Sequence, residues 1–191
     1  MRLGYCCAVL VLAGSTLAGS AQMSSASAKV TPGAQMSPVQ AEDELLNLFE
    51  QEFMGVAKAM PADKYGFAPA STNGAKYDGV RTFAQEISHV TMANYFFASK
   101  ILGEKFPGDP KTIQGLTSKD ELLKAAADSF TYAHKAIASI TPENAFVSIE
   151  GVDGLHTRAV IASFIAAHGY DHYGQMVEYL RMNGIVPPGS K

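Results

Sequence analysis

The chain has 191 residues, enough for one domain with a core of its own, and an apolar fraction of 47% that is ordinary for a globular fold. Charged residues make up only 17% and the formal net charge is −3. The surplus of Lys and Arg that a phosphate-binding face needs is missing, which excludes nucleic acid as the expected partner.

The first 21 residues form a unit of their own. Arg2 gives a short positive start, Tyr5 to Ala13 is an apolar run, and small residues follow from Gly14 to Ala21. This is the layout of a secretory signal peptide with cleavage after Ala21. The run is too short to span a bilayer, which takes about 20 apolar residues. The expected protein is therefore periplasmic or secreted, with no stable membrane insertion once the signal is removed. Cys6 and Cys7 both fall inside the signal. The mature chain then has no disulfide, no thiolate ligand and no cysteine nucleophile. Residues 22–39 are rich in Ser, Ala, Gly and Pro without apolar periodicity, and read as a disordered lead-in.

The domain occupies residues 40–188, and its pattern is helical throughout. The first helix runs from about Pro38 to Met60, with Leu45, Leu48, Phe49, Glu52, Phe53 and Val56 at three- and four-residue spacing, and Pro61 stops it. The second spans about Val80 to Gly103. It carries one stripe of Phe83, Ile87, Val90, Phe97 and Ile101 and an adjacent one of His89, Met92 and Phe96. Met92, Tyr95, Phe96 and Phe97 are expected in the core. The third follows Ser118, an N-cap with Glu121 three residues on, and carries Leu122, Leu123, Ala126, Phe130, Ala133 and Ile137. The fourth runs from near Thr157 to about Asn183, with Val160, Ile161, Phe164, Ile165, His168, His172, Met176, Tyr179 and Leu180 on its inner side. No segment reads as a strand. Phe146 to Val152 alternates, but it is short and runs into a Gly-rich turn. The expected fold class is all-α, a single four-helix bundle.

Five histidines remain to be placed. His168 and His172 lie four residues apart, a spacing that stacks two side chains on one helix face. Ile161, Phe164, Ile165, Met176 and Leu180 share that face, so the pair points into the bundle. Two imidazoles so placed can bind one metal ion. A third ligand must come from another helix, and His89, on the second helix beside Met92 and Phe96, is the candidate. Spacing alone leaves the blander reading open, a set of hydrogen-bonded core histidines. His134 and His156 read as structural or surface residues. Glu86 and Asp171 are candidates to orient a ligating imidazole, with an exposed position favoured for Asp171. Catalytic residues cannot be named from the sequence.

The stretch His168-Gly-Tyr-Asp-His172-Tyr-Gly174-Gln175, followed by Leu180-Arg181-Met-Asn-Gly184-Ile-Val-Pro187-Pro188, resembles the last helix and tail of the DinB-like (DinB/YfiT-like) family. Phe83 to Tyr95, with His89, resembles that family's other ligand helix. The resemblance covers about residues 40–188. It implies a four-helix bundle, often a homodimer, holding one divalent ion, Zn or Ni, through His89, His168 and His172. It also implies chemistry on a small-molecule substrate, by hydrolysis or by transfer of a low-molecular-weight thiol. Gly174 and Gln175 match the pattern without a chemical role to assign. The expected export is a departure, because thiol-dependent members work in the cytoplasm where the thiol is abundant. The alternative is a non-catalytic metal-binding bundle, a periplasmic stress or binding protein.

Overall fold

The computed structural model describes residues 31–72 and 75–190. The expected signal peptide and the first half of the lead-in, residues 22–30, lie outside the described residues. From Pro38 onward the described residues are mostly helical, with five α-helices among them: α1 (Pro38–Ala59), α2 (Phe83–Leu102), the short α3 (Pro110–Gln114), α4 (Lys119–Ala138) and α5 (Arg158–Met182). The four long ones form the expected bundle.

Local sequence explains where each helix starts and stops. Ser37 and Thr82 open α1 and α2 with full capping boxes, closed by Gln40 and Gln85. At α4 the expected box is only half present. Ser118 Oγ accepts from the Glu121 backbone N–H, while the Glu121 carboxylate takes the Ser118 hydroxyl rather than its backbone N–H. Gly103 ends α2 with φ +69°, the left-handed conformation that glycine reaches without a steric cost. Basic side chains satisfy two other helix ends. Lys119, at the start of α4, donates to the Lys58 and Met60 carbonyls at the end of α1, at 2.7 and 2.8 Å. Arg158 Nε, at the start of α5, donates to the Ile101 carbonyl near the end of α2 at 3.1 Å. Each contact ties the start of one helix to the end of its neighbour, so α1 and α4 are antiparallel, as are α2 and α5.

Around the bundle the order is α1, α5, α2, α4. Helices α1 and α2 are therefore diagonal to each other, and so are α4 and α5. Both diagonal connections must cross an end of the bundle, and each contains a β-hairpin, which overturns the expectation of no strand. The first pairs β1 (Ser71–Thr72) with β2 (Ala75–Lys76), and the second pairs β3 (Ser148–Val152) with β4 (Leu155–Thr157). In the second hairpin Val152 faces Leu155 across Asp153-Gly154, with φ of +50° and +84°. Two successive positive φ values are the primed turn that joins twisted strands, and Asp-Gly is its usual sequence. The alternation from Phe146 to Val152 was thus a true strand signal.

The core is aromatic on the α1 side. Phe49 packs on Phe53, Phe130 and Tyr170 with ring centroids 5.6, 5.4 and 5.2 Å apart, which binds α1 to α4 and α5. Gly169 makes this possible, since a Cβ there would run into the Phe49 ring. Some expected core positions lie outside. Leu48 is 50% exposed, and Phe96 and Val160 are exposed too. Leu46, which the sequence stripe left out, is buried instead.

Candidate metal centre

The three histidines meet at the interface of α2 and α5. His89 lies two turns into α2, while His168 and His172 sit mid-way along α5. Each offers a ring nitrogen, and the three nitrogens lie within 4.8 Å of one another. The rings pack closely, with centroids 4.5 Å apart for His89 and His172, 4.7 Å for His168 and His172, and 5.2 Å for His89 and His168. His89 and His168 are half-buried and His172 is buried beneath them. The cluster therefore has a closed inner side and an open outer one.

Glu86 forms the inner side. It lies one turn before His89, and its side chain is 1% exposed. His172 Nδ1 donates to Glu86 Oε2 at 2.7 Å. That bond places the ring proton on Nδ1 and leaves the Nε2 lone pair free to face the other two imidazoles. Of the two carboxylates singled out in the sequence, Glu86 therefore orients a ring. Asp171 does not: it is exposed, and its carboxylate accepts from Gln175 Nε2 at 3.3 Å.

Electrostatics keep the open rings neutral. Burial pulls the His89 pKa down to about 4, helped by the Arg81 charge and then by the two neighbouring imidazoles. His168 is shifted down as well, by burial first and His172 second. Neutral imidazole is the form that binds a metal ion.

Three observations test whether these residues fit a divalent cation. The Nε2 atoms of His89 and His168 are 3.3 Å apart. Two nitrogens bound tetrahedrally at about 2.0–2.1 Å would be separated by about 3.3–3.4 Å. Second, Glu86 Oε1 is buried and has no hydrogen-bond partner among the described residues. A buried carboxylate with a free oxygen is costly unless a positive charge lies near. Third, the donor set is all imidazole, a set suited to Zn, Cu and Ni. The residues fit. Among the described residues no fourth side chain joins the group. Three protein ligands without a fourth is the arrangement of an open site rather than a closed structural one.

The remaining histidines lie elsewhere. His134, on α4, is held between two carboxylates of α1, with Nδ1 2.6 Å from Asp43 Oδ1 and Nε2 3.0 Å from Glu50 Oε2. His156 is exposed on β4. Sequence reasoning missed Arg81, which precedes α2 and carries no motif; its carbonyl accepts from the Tyr179 hydroxyl at 3.1 Å, joining the start of α2 to α5.

A comparison with curated proteins gives no match. A family model described as the DinB superfamily matches residues 45–176, a span that contains Glu86 and all three histidines. With most of the bundle matched, and the three imidazoles meeting on its second and last long helices, the chain belongs to the DinB superfamily.

Proposed function

We propose that this protein binds one divalent ion, Zn or Ni, through His89, His168 and His172, and uses it to act on a small molecule. The observation that carries this reading is a three-imidazole cluster anchored by a carboxylate on its buried side and half-exposed on the other. A divalent ion held there would supply a Lewis acid that polarises a substrate oxygen or activates a water or thiol. The chain's own contributions are separate from that chemistry. Glu86 fixes the ring of His172 and supplies one negative charge behind the site. Burial keeps His89 and His168 unprotonated. Phe97 and Phe164 pack against the His168 ring at 5.6 and 6.0 Å and hold its plane.

Hydrolysis and thiol S-transfer both suit such a site. Hydrolysis is favoured here, because water is present in every compartment whereas the sequence reading sends the chain outside the cytoplasm. Export of a chain starting near Gln22 and assembly as a homodimer belong to the same proposal. Among the described residues no helix is long and apolar enough to cross a membrane.

The test is a metal analysis of the purified protein followed by a screen against ester, amide and epoxide substrates, with and without small thiols. The expected result is about one ion per chain and a turnover that His89→Ala abolishes. Metal without turnover would return the protein to the class of metal-binding bundles, and absence of metal would end the reading. N-terminal sequencing of protein from the native host tests export, and sedimentation tests the dimer.

A further inference from the structure

The surface around the three imidazoles is polar on one side and apolar on the other. Towards the start of α2 the cluster is bordered by Arg81 and Gln85, and on α5 by Asp171 and Gln175. In the opposite direction the side chains change character. Along α2, His89, Met92, Phe96 and Lys100 recur at three- and four-residue spacing and share one face. On the antiparallel α5, Phe164 lies one turn before His168. Met92 and Phe164 are half-buried, and Phe96 is 38% exposed.

These side chains form a continuous aromatic strip that begins at the site itself. The buried Phe97 packs its ring 5.6 Å from His168, 5.3 Å from Phe164 and 5.5 Å from Phe96. Lys100 ends the strip, its ammonium 5.9 Å from the centre of the Phe96 ring. We propose that the site takes a small molecule with an oxygen or sulfur head that binds the metal and a planar apolar body that lies on Phe96 and Phe164. This inference rests on the metal-site reading above and adds the class of substrate.

The dimensions match a small molecule that reaches from the imidazoles to Phe96. Phe96 follows His89 by seven residues, about 10 Å along a helix, which is the reach of one substituted ring joined to a head group. An aromatic side chain buries about 150–250 Å² when fully covered. The exposed part of Phe96 is then below 100 Å² by the same rough measure, an area that one planar ring can cover. An apolar wall beside a few convergent polar groups is the usual make-up of a ligand site.

The test uses zinc-loaded protein and two hydroxamates that share a metal-binding head, benzohydroxamate and acetohydroxamate. Calorimetry should show the aromatic one binding about tenfold tighter or more, since covering about 55 Å² of apolar surface accounts for a factor of ten. In Phe96→Ser that ratio should fall below about threefold while acetohydroxamate binds as before. Leu48→Ser, at a still more exposed apolar site on α1, should leave the ratio intact. The ε-methyl signal of Met92 should move with benzohydroxamate and not with acetohydroxamate. Equal affinities in the wild type, or a ratio that Phe96→Ser leaves unchanged, would overturn the inference. So would a Phe96→Ser protein that turns from dimer to monomer in sedimentation, because the strip would then be a contact between copies. If zinc does not bind at all, the metal reading fails on its own account and phenol on the metal-free protein decides the apolar part. A Met92 shift lost in Phe96→Ser would uphold it, and no shift would overturn it.

Discussion

Two histidine sites in one bundle put the same side chain to opposite uses. At the α2–α5 interface three imidazoles turn nitrogens towards one point, and burial lowers the proton affinity of His89 and His168. At the α1–α4 interface a single imidazole turns its two nitrogens away from each other, each onto a carboxylate, and the Glu50 and Asp43 bonds raise its proton affinity. Converging nitrogens without protons form a place for a cation. Diverging nitrogens with protons make the histidine itself the cation. The lesson is that the carboxylate count around an imidazole says little until one knows which nitrogens it occupies. Glu86 takes one nitrogen of His172 and frees the other, whereas Asp43 and Glu50 together leave none.

The sharpest way to break this contrast is to remove one histidine from each site. His172→Ala should reduce the metal content from about one ion per chain to near none, because two ligands cannot match three. His134→Ala should leave the content unchanged, and elemental analysis of both proteins reads the difference directly. Next in size is the carboxylate behind the site. Glu86→Ala should weaken metal binding about 10- to 100-fold, the usual cost of losing a group that orients a ligating imidazole. Glu86→Gln keeps an acceptor for the His172 N–H and should recover most of that loss, as measured by competition with a chelator.

A third change tests the wall behind α5. Gly169 lies between His168 and Tyr170 and against Phe49, so Gly169→Ala forces a methyl into a filled space. The expected cost is about 1–3 kcal/mol, the range for overpacking a core, seen as a lower urea midpoint. The smallest effect belongs to His134. Its pKa is raised above the ordinary 6.5 by Glu50 and Asp43. Its contribution to stability is therefore complete below about pH 6.5 and is lost as pH rises through the folded value. The ion pairs are partly exposed, with Asp43 45% and Glu50 33% accessible, so the contribution is about 1 kcal/mol or less. The urea midpoint of the wild type should exceed that of His134→Gln at pH 6, and the gap should shrink by pH 9.

Periodicity made the four long helices and the His168–His172 pair readable, whereas His89 joined the pair through its place beside an apolar stripe of the second helix and through the family resemblance. Spacing of three and four residues marks a helix face, and the same rule aligns His168 with His172. What periodicity cannot do is centre the buried stripe. It admitted Leu48, Phe96 and Val160 alongside true core residues, because a residue at the stripe's edge is covered or bare according to which helix lies next to it. The β3–β4 hairpin went unread although Asp153-Gly154 announced it. A strand of five residues in a chain of helices carries too little pattern to stand against its surroundings. The short α3, capped by Asp109 and begun by Pro110, was missed for the same lack of length. Glu86 could be named as a candidate from its place one turn before His89, but its bond to His172 spans 86 residues and depends on the packing of α2 against α5.

The ligand set is split unevenly along the chain, and this governs when an ion can be captured. His168 and His172 come together in a single turn of α5, so two nitrogens are aligned as soon as that helix winds. His89 arrives from 79 residues earlier and joins only when α2 docks. A nascent chain would thus have a loose two-point grip, easily exchanged, and would acquire the firm three-point one at the end of folding. Selection of the ion would fall to whatever surroundings the polypeptide meets at that last step. For a chain threaded unfolded through a membrane, those surroundings would be the far side, and the ion inventory there, rather than that of the cytoplasm, would decide which metal the bundle holds.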